Sequence, residues 1–178
     1  MDYTGPDTIA QIASWLRKCL DYHPKCSMML SSKRLSRSPL NPSRYRSKLP
    51  TRILAVGVTG SSHVKLVETT TEPPGTPYVA LSHCWGPPGK QPLTTTLDTL
   101  NEYVSSGISF ARLPRTFADA VHITRELGIR YLWIDCLCII QDSLSDWEAE
   151  SECMGSIYEG AELTLGAAYA RDSSEGLF

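Results

Sequence analysis

Between Tyr78 and Tyr169 the chain alternates short apolar runs with helical periodicity, and this alternation restricts the fold more than any other feature. Tyr78–Leu81, Arg130–Asp135 and Leu163–Tyr169 are apolar runs of strand length. Between the first two lies Thr116–Leu127, which carries Phe117, Ala120, Val121, Thr124 and Leu127 at helical spacing. Pro114 and Thr116, with Asp119 three residues on, open this helix, and Gly128 stops it. A second helix, Ser145–Tyr158, separates the last two runs. Such alternation predicts an α/β fold with parallel strands, because parallel neighbours need a long return path that a helix supplies. In open sheets of that kind ligands sit outside the carboxyl ends of the strands.

The helix Ser145–Tyr158 also points to chemistry. At about 100° per residue, Trp147, Met154, Ile157 and Tyr158 share one stripe and Glu150 projects inside it, whereas Glu148 and Glu152 point away. Ser145 and Glu148 have capping-box spacing, with Leu144 and Ala149 placed as a hydrophobic staple, so Glu148 has a structural task. Glu152 is solvated. A carboxylate at Glu150 needs a partner or keeps a perturbed pKa. Either it accepts hydrogen bonds from a neighbouring loop or pairs with an arginine, or it has a functional role. Asp135 ends the preceding strand, and Ser82 and His83 end another and lead into Cys84-Trp85-Gly86, so four polar groups converge on one sheet edge.

Upstream, Asp7–Tyr22 is an amphipathic helix with Ile9, Ile12, Ala13, Leu16 and Leu20 on one side. Ser31–Pro50 is rich in serine and proline, with Lys33, Arg34, Arg37, Arg44, Arg46 and Lys48 and no acid, and is expected to be an exposed linker. The chain thus divides into a leader, residues 1–50, and a domain, residues 51–178. Arg52–Val58 and His63–Thr69 flank Thr59-Gly60-Ser61-Ser62 as a β-hairpin, expected to pack on the side of the parallel sheet. Leu97, Leu100, Tyr103 and Val104 mark a short helix stopped at Gly107.

Composition sets outer bounds. The 178 residues suffice for one sizeable core, and the net charge of −2 exerts no global pull toward nucleic acid or membrane. No apolar run reaches the length of a membrane span, and the first residues lack the pattern of a secretory signal. A cytoplasmic protein with six reduced cysteines is therefore expected.

Other groupings are weaker. Cys19, His23 and Cys26 place three soft ligands together, and His63 or Cys84 would be needed to complete a zinc site. No second ligand pair of finger-like spacing follows, so no metal is expected and packing of small thiols is the simpler reading. Cys136 and Cys138 have poor spacing for a metal pair, and His83 and Cys84, adjacent on extended chain, point to opposite faces. The basic linker has only Tyr45 interleaved, which argues against nucleic acid. Gly86-Pro-Pro-Gly89 matches no phosphate loop, and its prolines remove amide donors. Arg115, at a helix start, is the better phosphate ligand, or else it forms an ion pair with Asp119 or Asp135.

The blocks Tyr78-Val-Ala-Leu-Ser-His-Cys-Trp-Gly86, Leu113-Pro-Arg-Thr-Phe117, Leu127-Gly-Ile-Arg-Tyr-Leu-Trp-Ile-Asp-Cys-Leu-Cys-Ile-Ile-Gln-Asp142, Asp146-Trp147, Glu150, Met154, Ile157-Tyr158 and Gly176-Leu-Phe178 closely resemble the fungal heterokaryon incompatibility (HET) domain. The resemblance runs from about Arg52 to the last residue, and the leader with Trp15, Cys19, His23 and Cys26 looks like the segment that precedes that domain. Cys136 stands where the family usually has serine. Ending just after Gly-Leu-Phe, the chain is expected to be part of a longer parent. The resemblance implies fungal self/non-self recognition ending in programmed cell death. It also implies a relation to the Toll/interleukin-1 receptor (TIR) fold, a flavodoxin-like sheet whose enzymatic members cleave nicotinamide from NAD with a helix-borne glutamate. On that likeness Glu150 is the catalytic carboxylate, Trp85 and Trp147 stack on the bases, and Ser82, His83, Gly86, Arg115 and Asp135 hold the substrate, the protein acting in self-association or with an upstream recognition partner. The rival reading is a non-enzymatic interaction and oligomerisation module.

Overall fold

The computed structural model describes residues 6–23 and 49–178. In chain order these form α1 (Pro6–Tyr22), β1 (Arg52–Ala55), β2 (His63–Glu68), β3 (Tyr78–Ser82), α2 (Leu97–Ser105), β4 (Ile108–Ser109), α3 (Arg115–Glu126), β5 (Tyr131–Ile134), the single turn α4 (Asp135–Cys138), α5 (Leu144–Gly160) and β6 (Leu163–Gly166). The sheet is open, with strand order β4-β2-β1-β5-β3-β6. β5, β3 and β6 are parallel, Val79 pairing with Leu132 on one side and Leu163 on the other.

The sheet is mixed rather than parallel throughout. The hairpin does not lie on its side but continues it, since β1 pairs antiparallel with β5 through Leu54 opposite Leu132 and Ala55 opposite Tyr131. The reason lies in β5, all four of whose residues are buried. Backbone donors and acceptors in so apolar a strand need partners on both edges, and β1 supplies the second set. β2 then pairs with β1 from Arg52–Glu68 to Ala55–Lys65 and alternates exposed with buried side chains, as a strand with one solvated face should. Gly60 turns the hairpin at φ +88°, and the Ser61 amide donates to the Val58 carbonyl.

Helix starts differ from expectation in instructive ways. Pro114, not Thr116, precedes the first turn of α3. Thr116 and Asp119 instead accept the backbone amides of Gly176 and Leu177, so they bind a distant segment and do not cap their own helix. On α5 the cap is Ser143, whose hydroxyl accepts the Asp146 amide, and not Ser145 with Glu148. Leu144 is exposed, so no staple forms. The buried stripe of α5 is rotated toward Asp146, Glu150, Cys153, Ile157 and Gly160, which leaves Trp147 48% exposed. α2 carries a capping box between Thr96 and Thr99 and ends before Gly107.

α5 is fastened to the sheet through Tyr78, whose hydroxyl donates to the Ile157 carbonyl at 2.5 Å, and through an edge-to-face contact of Trp133 with Tyr158 at 5.4 Å. α3 buries Phe117, Ala120, Val121 and Thr124. On α1 Ile9 is buried and Leu16 packs on the core, as the periodicity predicts, while Trp15 is exposed. No helix among the described residues is long and apolar enough to cross a membrane.

Gly107 joins α2 to β4 at φ +85°, and a Cβ there would sit 2.6 Å from the Val64 carbonyl oxygen; Gly60 has a similar φ but open space around it. Gly107→Ala should therefore cost about 3 kcal/mol, combining left-handed strain with a backbone clash, whereas Gly60→Ala should cost about 1 kcal/mol. Chemical denaturation of the two variants checks the difference.

Candidate functional site

β3 and β5 end side by side, and the residues that leave them meet. His83 turns its ring into the protein, with only 1% of its side chain exposed, edge-on to Phe117 of α3 at 5.0 Å. Its Nε2 lies 3.2 Å from Asp135 Oδ1 and 3.6 Å from Cys136 Sγ, while Nδ1 lies 3.1 Å from the Cys84 carbonyl oxygen. The Trp85 indole donates to Asp135 Oδ2 at 2.8 Å, and the Cys136 amide donates to Oδ1 at 2.7 Å. Burial opposes ionisation of Asp135, but the hydrogen bonds from His83 and Trp85 outweigh it and hold the carboxyl below its usual range. The Cys136 thiol is driven well up, first by burial and then by the charge of Asp135.

A second group closes over this edge from the C-terminal segment. Gly86, at φ +89°, lets the chain after Trp85 pass so close to Asp172 that a Cβ would lie 2.7 Å from the Asp172 Cβ. Asp172 accepts from the Ser174 hydroxyl at 2.5 Å and amide at 2.8 Å, and pairs with Lys90 at 3.1 Å. Ser174 above all, with Lys90, holds its carboxyl down at about 2. The Ser173 carbonyl accepts the Thr116 amide, and Gly176 lies against the Arg115 side chain.

Glu150 occupies a third position. It is 4% exposed, and its Oε1 accepts a hydrogen bond from Thr51, the residue before β1. Its Oε2 has no hydrogen-bond partner among the described residues. The nearby arginine, Arg52, is committed elsewhere: it is buried, bonds Asp146 Oδ2, and donates from Nε to the Cys138 carbonyl at 2.9 Å. Asp146 also accepts the Ile140 amide. Among the described residues Glu150 therefore takes its bond from a neighbouring loop and not from an arginine.

The expected site residues thus fall into separate groups. His83, Trp85 and Asp135 form one cluster, which gains Cys136. Gly86 and Arg115 belong to the contacts of the C-terminal segment, with Arg115 itself exposed. Ser82 is exposed at the end of β3, where its carbonyl accepts the Ala167 amide. Glu150 is one helical turn beyond Trp147 but on the β1 side, where it meets Thr51, and burial pushes the Cys138 thiol up to about 12 with smaller contributions from Glu150 and Asp135. Thr51, Arg52, Cys136 and Asp172 were not legible as site residues, although Asp172 with Ser174 two residues on is the signature of an Asx turn. Of the leader ligands, Cys26 lies outside the described residues, and the one His/Cys/Asp/Glu group among the described residues close enough to share an ion is His83, Asp135 and Cys136.

These clusters are built from the motif blocks themselves, and a family model for the heterokaryon incompatibility protein (HET) matches residues 78–178, which contain both carboxylates and the C-terminal segment. The chain belongs to the heterokaryon incompatibility family. No curated protein and no solved structure matches it. Membership gives this HET domain a role in heterokaryon incompatibility.

Because the pKa of Asp172 is depressed in the fold, the stability it contributes is complete above its ordinary value of 3.8 and lost as pH falls toward about 2. The stability gap between the parent and Asp172→Asn should be full at neutral pH and close progressively below pH 3.8. Denaturation midpoints of both proteins across that range check this.

Proposed function

We propose that the HET domain serves heterokaryon incompatibility by cleaving NAD to nicotinamide and an ADP-ribose product, with Glu150 as the essential carboxylate. The observation that carries this reading is a buried carboxylate on α5 with one oxygen, Oε2, left without a partner among the described residues. Such a group is costly unless it has a task. Its placement on the helix after the strand that ends in Asp135 is also the placement expected from the likeness to the TIR enzymes.

The chemistry suits a lone carboxylate. Breaking the bond between ribose C1′ and the nicotinamide nitrogen sends its electron pair into the cationic ring, and positive charge builds on the ribose as in glycoside cleavage. Glu150 offers a negative oxygen to that charge, and water then adds at C1′ through its oxygen and releases a proton to solvent. No strong general acid is required, since the leaving group departs neutral. The Thr51 bond and the burial of Glu150 keep the free protein closed, so ribose reaches the carboxylate when the first half of α5 and the chain before β1 part. Silence before triggering suits a domain whose action ends in cell death. Trp147, one helical turn before Glu150 and exposed, is free to stack on a base, and Arg115 and Ser82 are exposed polar groups available to a ligand.

A second reading, a non-enzymatic module acting by self-association, is favoured by exposed Trp147, Tyr169 and Phe178. Nicotinamide release from NAD, measured across protein concentrations, separates the two. Glu150→Gln keeps the Thr51 bond and the volume, so it should lower turnover on the order of 100-fold or more with folding nearly intact. Glu148→Gln, on the exposed face and outside the cap, should cost under about 0.5 kcal/mol and leave turnover unchanged. Intact NAD at every concentration, or full activity in Glu150→Gln, would hand the function to the interaction module.

A further inference from the structure

The sequence gives no reason to expect a metal, because its His, Cys and Asp residues lack ligand spacing along the chain. The fold creates a ligand set by another route. β3 and β5 are parallel neighbours that end in register, Leu81 beside Ile134, so His83 and Asp135 emerge together. Because α4 begins at Asp135, the side chains of Asp135 and Cys136 leave a helical turn about 100° apart, where in a strand they would oppose one another. His83 Nε2, Asp135 Oδ1 and Cys136 Sγ consequently all lie within 4.8 Å of one another.

Two separations are informative. Zinc bound tetrahedrally at about 2.0–2.2 Å from N and O and about 2.3 Å from S sets ligand-to-ligand edges of about 3.3 Å for N–O and about 3.6 Å for N–S. The corresponding distances here are 3.2 Å and 3.6 Å. The surroundings also match what a metal-binding histidine and carboxylate need. His83 Nδ1 faces the Cys84 carbonyl at 3.1 Å, so a proton on Nδ1 has an acceptor there and Nε2 can exchange its hydrogen bond to Asp135 for a metal ion. Nε2 faces a carboxylate oxygen and a sulfur. An imidazole nitrogen, a carboxylate oxygen and a thiol sulfur held this close share protons in the free protein and can share a metal ion in their place. Trp85 holds Asp135 through Oδ2, so Oδ1 needs only to share itself between the Cys136 amide and the ion.

We propose that His83, Asp135 and Cys136 bind one zinc ion, with water in the fourth position. On binding, the Cys136 thiol gives its proton to solvent and the thiolate forms a bond to the metal; no oxidation state changes. Neutral imidazole, thiolate, carboxylate and divalent zinc sum to zero charge, which suits a cluster from which water is largely excluded. The ion ties the end of β3 to the start of α4 and fixes Trp85 through Asp135. Glu150 takes no part, so the site stands independently of the NAD reading.

The test is zinc chloride titrated into chelator-treated protein, with bound metal counted by elemental analysis and cobalt chloride as a spectroscopic probe. Stoichiometric zinc, a raised melting temperature at saturating zinc, and a cobalt–thiolate absorption band are expected. Cys136→Ser, which installs the serine usual in the family, should fold and lose stoichiometric binding and the band, and Asp135→Asn should weaken binding on the order of 10-fold or more. The exposed Cys84→Ser and the leader variant His23→Ala should retain both. Protein that takes up no stoichiometric zinc overturns the proposal, as does binding that survives Cys136→Ser or disappears in His23→Ala. If Cys136→Ser does not fold, cobalt bound to the parent without a thiolate band overturns it equally.

Discussion

β5 is the constraint on which the rest depends. Its four residues, Tyr131–Ile134, are all buried, so neither face can meet water and neither edge can be left open. β3 satisfies one edge in parallel and β1 the other in antiparallel, which turns a parallel α/β sheet into a mixed one. The same burial decides where polarity returns. The first residue beyond the strand is Asp135, and the partners of its carboxylate, His83, Trp85 and the Cys136 amide, are supplied by chain leaving the same sheet edge.

The two inward-facing carboxylates show how environment separates residues of one chemical type. Asp135 is met by donors on both oxygens and is held ionised. Glu150 is covered more completely but among the described residues receives one bond, from Thr51, and keeps an unpaired oxygen. The nearby guanidinium of Arg52 could have satisfied it, yet it is spent on Asp146 and the Cys138 carbonyl, where it ties β1 to the first turn of α5. Asp135 thus behaves as an organising group, and Glu150 as one held in reserve.

The C-terminal segment has the corresponding role on the outside. Asp172, Ser173 and Gly176 reach the loop after β3 and the first turn of α3, through contacts that require Gly86 to lack a side chain and Thr116 to offer its hydroxyl. Residues that look like helix punctuation along the chain are thereby used as tertiary contacts, and the family match to residue 178 includes the segment they bind.

By itself the sequence determined the element types and their order, because periodicity and stop signals act over a few residues. It placed the parallel trio, the hairpin, the leader helix and the inward side of Glu150. It misplaced Trp147 and the caps of α3 and α5, where a rotation of one helix or a competing distant partner decides the outcome. It could not show that β1 joins β5, that Arg52 prefers Asp146 to Glu150, or that Cys136 comes beside His83. Those depend on pairings between residues 50 or more positions apart, and such pairings are selected by burial and register across the whole sheet, for which no local stretch of sequence carries a signal.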